Sequence, residues 1–195
     1  MHLVSIDPGY RACGVAIFFD GRLAHAALVQ SSVRLDTEGE QFVEMGRAVA
    51  DYVLTHLAQV GFDVAIEYPQ QYTSSPAPRE PVQKLVGVIG SILAQLQART
   101  GGLNIRSSTY RPREWKGQVP KDVMGRRILG RLIEEEAQSI PTLRKAALHN
   151  VIDAVGVGLH HLGRMKRIRV NSSKPADGDS TVGGSLTHRR RVHQA

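Results

Sequence analysis

Three carboxylates, Asp7, Glu67 and Asp153, sit where an acid is hard to explain as surface decoration. Asp7 ends the apolar run Leu3-Val4-Ser5-Ile6 and opens the turn Asp7-Pro8-Gly9. An acid there either shapes the turn or stands at the mouth of the fold. Glu67 closes Asp63-Val64-Ala65-Ile66-Glu67. A carboxylate ending a buried strand is costly unless paired or bound to a cation; otherwise it lies past the strand end, already in solvent. Asp153 lies within an apolar helix containing Leu148, Val151, Ile152, Ala154, Val155, Val157 and Leu159. His149 and Asn150 fall four and three residues earlier, on the same helical face. They leave open a plain His–Asp pair or a packing hydrogen bond. Brought together, the three acids would form a cage of hard oxygens suited to Mg²⁺ or Mn²⁺. Two such ions could activate water and stabilise the leaving oxygen of a phosphodiester. No cysteine or histidine cluster has zinc spacing. On an ideal helix His149 lies about 40° and Asn150 about 60° from Asp153. An imidazole is both a ligand and a base near neutral pH, whereas an amide is a weak ligand and no base. His149 is therefore the expected fourth ligand, with Asn150 as the alternative.

The basic residues point the same way. The net charge is +7, which favours a polyanionic partner. Arg111, Arg113, Lys116 and Lys121 run together with Tyr110 and Trp115 interleaved. Cations in such a run would neutralise phosphates, and aromatics would stack on bases. Arg111, Lys116 and Lys121 are expected at the nucleic acid, and Trp115 in the core. Tyr68 and Tyr72 either wedge into an opened duplex or pack at a strand end. Arg164, Lys166, Arg167 and Arg169 form a second cluster, and Arg189-Arg190-Arg191 a third.

These groups need elements to position them. Leu3–Ile6, Gly14–Phe19 and Arg22–Gln30 read as strands, with Asp20-Gly21 a hairpin turn. Phe42, Met45, Val49, Val53 and Leu57 recur at helical spacing from Glu40 to about Val60. Asp63–Glu67 is a short buried strand, 73–81 a proline-rich loop, Val82–Arg99 a helix and Leu103–Ser107 a fifth strand. Pro120–Gln138 and Pro141–Met165 read as the last two helices. A meander followed by alternating helices and strands predicts a mixed α/β sheet with helices on its faces. Residues 1–170 are expected as one domain and 171–195 as a disordered basic tail. No apolar run approaches the ~20 residues of a membrane span. The single cysteine, Cys13, and an N-terminus without signal-peptide character predict a cytoplasmic protein.

The order of motifs resembles the RuvC family of Holliday-junction resolvases, within the RNase H-like superfamily. Ile6-Asp7-Pro8-Gly9 followed by Cys13-Gly14-Val15 resembles the family's opening, and Ala65-Ile66-Glu67 its second carboxylate strand. Lys84 to Gly90 resembles the following helix. Tyr110-Arg111-Pro112, Trp115-Lys116 and Lys121 resemble the segment that approaches the DNA backbone, and His149 to Asp153 the last catalytic helix. The resemblance spans residues 3–165. It implies an RNase H-like five-stranded sheet and a crossover junction endodeoxyribonuclease that binds two Mg²⁺ or Mn²⁺ ions per site. It also implies a homodimer nicking four-way DNA junctions, for which Val82–Arg99 is the candidate interface, and leaves a branch-migration helicase as an unidentified partner. There are departures. The family places its penultimate ligand three residues before the last Asp, which here is Asn150. It carries an aromatic where this chain has Gln70. These point to a divergent member and leave a phage source open. The rival functions are an RNase H-like nuclease acting on RNA or other branched DNA, and an inactive DNA-binding module.

Overall fold

The computed structural model describes residues 1–31, 35–58, 60–70, 80–101 and 103–165. The elements are β1 (His2–Asp7), β2 (Ala12–Phe19), β3 (Arg22–Gln30), α1 (Glu38–Leu57), β4 (Phe62–Glu67) and α2 (Glu80–Arg99). They continue with β5 (Ile105–Tyr110), α3 (Pro112–Trp115), α4 (Lys121–Leu129), α5 (Glu134–Gln138) and α6 (Lys145–His161). The five strands form one sheet in the order β3-β2-β1-β4-β5. The first three are an antiparallel meander, and β4 and β5 add in parallel to β1. Asp20 and Gly21 take φ of 50° and 78°, as the two central residues of a type I′ hairpin require.

Strand alternation splits the sheet into two faces. Val4 and Ile6 of β1, with Val15 and Ile17 of β2 and Val64 and Ile66 of β4, face α1 and α2. Leu3, Ala16, Phe18 and Ala65 face the other way, against Trp115, Ile128 and the apolar side of α6. Helices thus cover both faces, as the mixed α/β expectation requires. Small residues let α6 lie directly on the sheet. A Cβ on Gly14 would stand 1.9 Å from the Asn150 carbonyl oxygen, and one on Gly158 2.3 Å from the Phe18 ring. Ser5 Oγ donates to the Ala154 carbonyl at 2.7 Å, pinning α6 along β1.

Several boundaries differ from expectation, each for a local reason. Thr37 and Glu40 form a capping box that starts α1 at Glu38. The fifth strand is Ile105–Tyr110, not Leu103–Ser107. Its register from Phe62↔Ile105 to Glu67↔Tyr110 is set by pairing with β4, while Ser107, Ser108 and Thr109 carry no apolar signal. The single helix expected over Pro120–Gln138 is two, because α4 ends at Gly130 and α5 restarts at Glu134. The buried Glu136 explains the restart. Its carboxylate accepts from the backbone N–H of Leu23 and Ile133 and from Arg164. Arg164, expected in a basic cluster, is therefore held in a structural ion pair. The last helix starts at Lys145, not Pro141, and a four-residue helix, α3, forms within the basic run. Within Val82–Arg99, the helix expected at a subunit interface, Gly87 faces α1 of its own chain, where a Cβ would meet the Phe42 ring at 2.7 Å, whereas Gly90 is exposed with open space around it. The loop at 73–79, Tyr72, the residues 166–170 and the tail 171–195 lie outside the described residues. No helix among the described residues is long and apolar enough to cross a membrane.

Candidate active site

Asp7 and Glu67 each follow the last β1–β4 register pair, Ile6↔Ile66, so they stand side by side at the carboxyl ends of parallel strands. That is the end at which α/β sheets place their ligands. Leu3 and Ala65 lie against α6, so by the period of two Asp7 and Glu67 also project to that face. Asp153, buried on α6, comes down over them. A recess of about 410 Å³ is lined by Asp7, Glu67, Lys116, Lys121, His149, Asn150 and Asp153, with Val119 and Met124. All four expected catalytic residues and both expected lysines therefore meet in one place. Arg111 is exposed at the start of α3 and does not line the recess. Tyr68 packs against the core beneath α1 and α2, at the strand end.

The electrostatics centre on Lys116. Its Nζ lies 3.1 Å from Glu67 Oε2 and 3.2 Å from Asp153 Oδ2, and 4.7 Å from the Trp115 ring centroid. The Trp115 indole N–H donates to Glu67 Oε2 at 2.8 Å. His149 Nε2 lies 3.1 Å from Asp153 Oδ2. Among the described residues no donor reaches the Asp7 carboxylate. Burial, with Glu67 and Asp153 adding repulsion, pushes Asp7 well above the usual carboxylate range; Lys116 and Lys121 only partly oppose this. Burial also raises Glu67 despite its bonds to Lys116 and Trp115. Burial alone would lower Lys116, but Glu67 and Asp153 outweigh it and hold the ammonium charged. Burial lowers His149, against the opposing pull of Asp153, so its imidazole is neutral at neutral pH.

This is a site short of positive charge. Three carboxylates share one buried ammonium, and Asp7 has none within bonding reach. In donor chemistry the set fits a hard divalent cation. Among the described residues, however, no three such groups stand close enough to close around one ion as they are, and Lys116 fills the space between Glu67 and Asp153. Two features escaped the sequence reading. Lys116 is the carboxylates' counter-ion, not simply a surface cation, and the core residue Trp115 also orients Glu67. The adjacent Trp115-Lys116 pair was the available signal.

Fold and site together define a mixed α/β protein with an acidic recess at the sheet's parallel-strand end. Solved structures narrow this class. The chain is similar to T. thermophilus RuvC in complex with Holliday junction substrate, at 19% identity and a TM-score of 0.59, over 83% of this chain and 92% of that one. It is also similar to a second Thermus thermophilus RuvC structure, at 16% identity and a TM-score of 0.55, over 84% and 98%. The yeast mitochondrial Holliday junction resolvase Ydc2 follows at 10% identity and a TM-score of 0.50, over 84% and 81%. The chain has the RuvC fold. No protein-family model and no curated protein matches it by sequence.

Proposed function

We propose that the protein is a metal-dependent, structure-selective endodeoxyribonuclease that resolves four-way Holliday junctions by paired phosphodiester hydrolysis. The observation that carries this is the meeting of Asp7, Glu67, Asp153 and His149 with two lysines in one recess, on a fold shared with a resolvase solved on its junction. Asp7, Glu67 and Asp153, with His149 or alternatively Asn150, would hold two Mg²⁺ or Mn²⁺ ions, which supply Lewis acidity and charge neutralisation at the phosphate. His149, neutral and partnered by Asp153, is positioned to take a proton at neutral pH. Lys121 makes no ion pair among the described residues, and with Lys116 it would neutralise the phosphate; Arg111 would contact the backbone outside the recess. Tyr68 and Tyr72 are proposed near the junction centre. A homodimer would supply two related sites for the two strands.

One observation favours a second reading, an RNase H-fold DNA-binding module without hydrolysis: Lys116 already bridges Glu67 and Asp153. One experiment separates them. Purified protein is incubated with Mg²⁺ and a labelled four-way junction beside duplex, fork and RNA–DNA hybrid. Symmetric nicks that vanish in chelator are expected. Tight junction binding with no nicks selects the inactive module, and preferential cutting of the hybrid or fork selects a different nuclease.

A further inference from the structure

A second concavity adjoins the candidate active site. It is a groove of about 780 Å³ between α4 and α6, and Lys121, His149 and Asn150 line both it and the recess. Its apolar lining comes from Gly125, Leu129, Leu148 and Ile152. Leu129 is 42% exposed there, an unusual place for a leucine on a basic surface. Gly125 leaves open space: a Cβ would find only Ile152 Cγ2, at 3.9 Å. The rim carries a net positive charge: Arg126 pairs with Asp122 at 3.7 Å, and Lys121 and Lys145 make no ion pair among the described residues. At the seam between groove and recess sits Asn150, whose side-chain amide has no hydrogen-bond partner among the described residues.

We infer that this groove receives an unpaired nucleobase next to the scissile phosphate, and that Asn150 reads its edge. This rests on the proposed nuclease function and deepens it. A nucleobase has an apolar face, a polar edge and an attached phosphate. The groove offers aliphatic walls, one free amide and flanking ammonium groups in the same arrangement, continuous with the place where a phosphate would be held. An amide presents a donor and an acceptor side by side, which matches adenine N6 and N7. Asn150 is thus a specificity residue at a position where a metal ligand was the alternative, and His149 is left as the imidazole ligand.

The test uses the full chain, in chelator for binding and in Mg²⁺ for cutting. Four-way junctions carry 2-aminopurine at each position around the crossover in turn. Its amino group sits on C2 and not C6, so its emission reports entry of an unstacked base into the groove, while the N6 and N7 contact is read from cutting with each natural base at that position. The groove walls hold no Phe, Tyr or Trp to quench the probe, so emission is expected to rise several-fold at one position on binding. Cutting should favour adenine at that position by roughly 5- to 150-fold, the range a bidentate amide–base contact supplies. Gly125→Leu, whose Cβ would meet nothing nearer than Ile152 Cγ2 at 3.9 Å, should fill the groove and abolish the rise, with a melt confirming that the variant is folded. Asn150→Ala should keep the rise and flatten the base preference. Junctions bound with no rise at any position, or a rise and preference unchanged in both variants, overturn the inference. Failure to bind junctions at all instead overturns the proposed function.

Discussion

Replacing Lys116 by methionine keeps much of the stem and removes the charge. At an effective dielectric of about 20, each contact near 3 Å is worth roughly 5 kcal/mol before desolvation, and burying the ammonium cancels several kcal/mol of that. Removing one partner of a buried pair typically costs about 3–5 kcal/mol, because the other charge is left uncompensated. The Lys116 side chain is 24% exposed, so about 2–4 kcal/mol is expected. For a chain of this size that is a fall in Tm of roughly 5–15 °C. The pH dependence separates charge from packing. Asp7 and Glu67 are already raised, and losing Lys116 raises them further. A carboxyl whose folded value exceeds its unfolded value is penalised above the unfolded value and relieved as pH falls. The deficit of Lys116→Met should therefore shrink as pH drops from 7 towards 5, and Glu67→Gln should rescue part of it in the double variant. Mg²⁺, if it binds the recess, should stabilise Lys116→Met more than the wild type. Thermal melts in chelator across pH read all of this. A deficit that is absent, or constant with pH, would refute the counter-ion reasoning.

Asp7→Asn should raise Tm in chelator by several degrees while abolishing cutting, because the raised carboxyl destabilises the fold at neutral pH; a lower Tm would show that Asp7 is structural. Glu136→Gln should cost about 3–5 kcal/mol at pH 7 by denaturant titration. Arg164 and two backbone N–H groups outweigh burial and hold Glu136 down to about 2, so in the wild type this stability is present above the ordinary glutamate range and lost as pH falls towards 2. Gly14→Val should destabilise by about 3 kcal/mol or more and lower junction cutting further than its stability loss explains, because it lifts α6 at Asn150; wild-type melting would contradict the close approach. His149→Ala should slow single-turnover cutting by orders of magnitude, and the wild-type rate should fall only below the ordinary imidazole range, given the lowered His149; a rate flat down to pH 5 would remove it as a base.

What the sequence made legible was whatever depends on near neighbours. The meander follows from three apolar runs and an Asp-Gly turn, and the acids of β1 and β4 share a face because Leu3, Ala65 and their alternation oblige them to. What stayed hidden depends on partners far along the chain. Nothing in residues 120–138 says that Glu136 must reach the Leu23 N–H, 113 residues away, yet that bond ties α5 to β3. Polar Ser107-Ser108-Thr109 becomes a strand only because β4 offers an edge. Lys116 looks like one cation in a basic run until α3 folds back over β4 and sets it against Glu67. The same logic explains why the acids were easier to find than their counter-ion. A carboxylate at the end of an apolar strand is costly wherever the rest of the chain goes, so its position alone raises the question. A lysine on a loop is at no cost in water, and only the fold takes the water away.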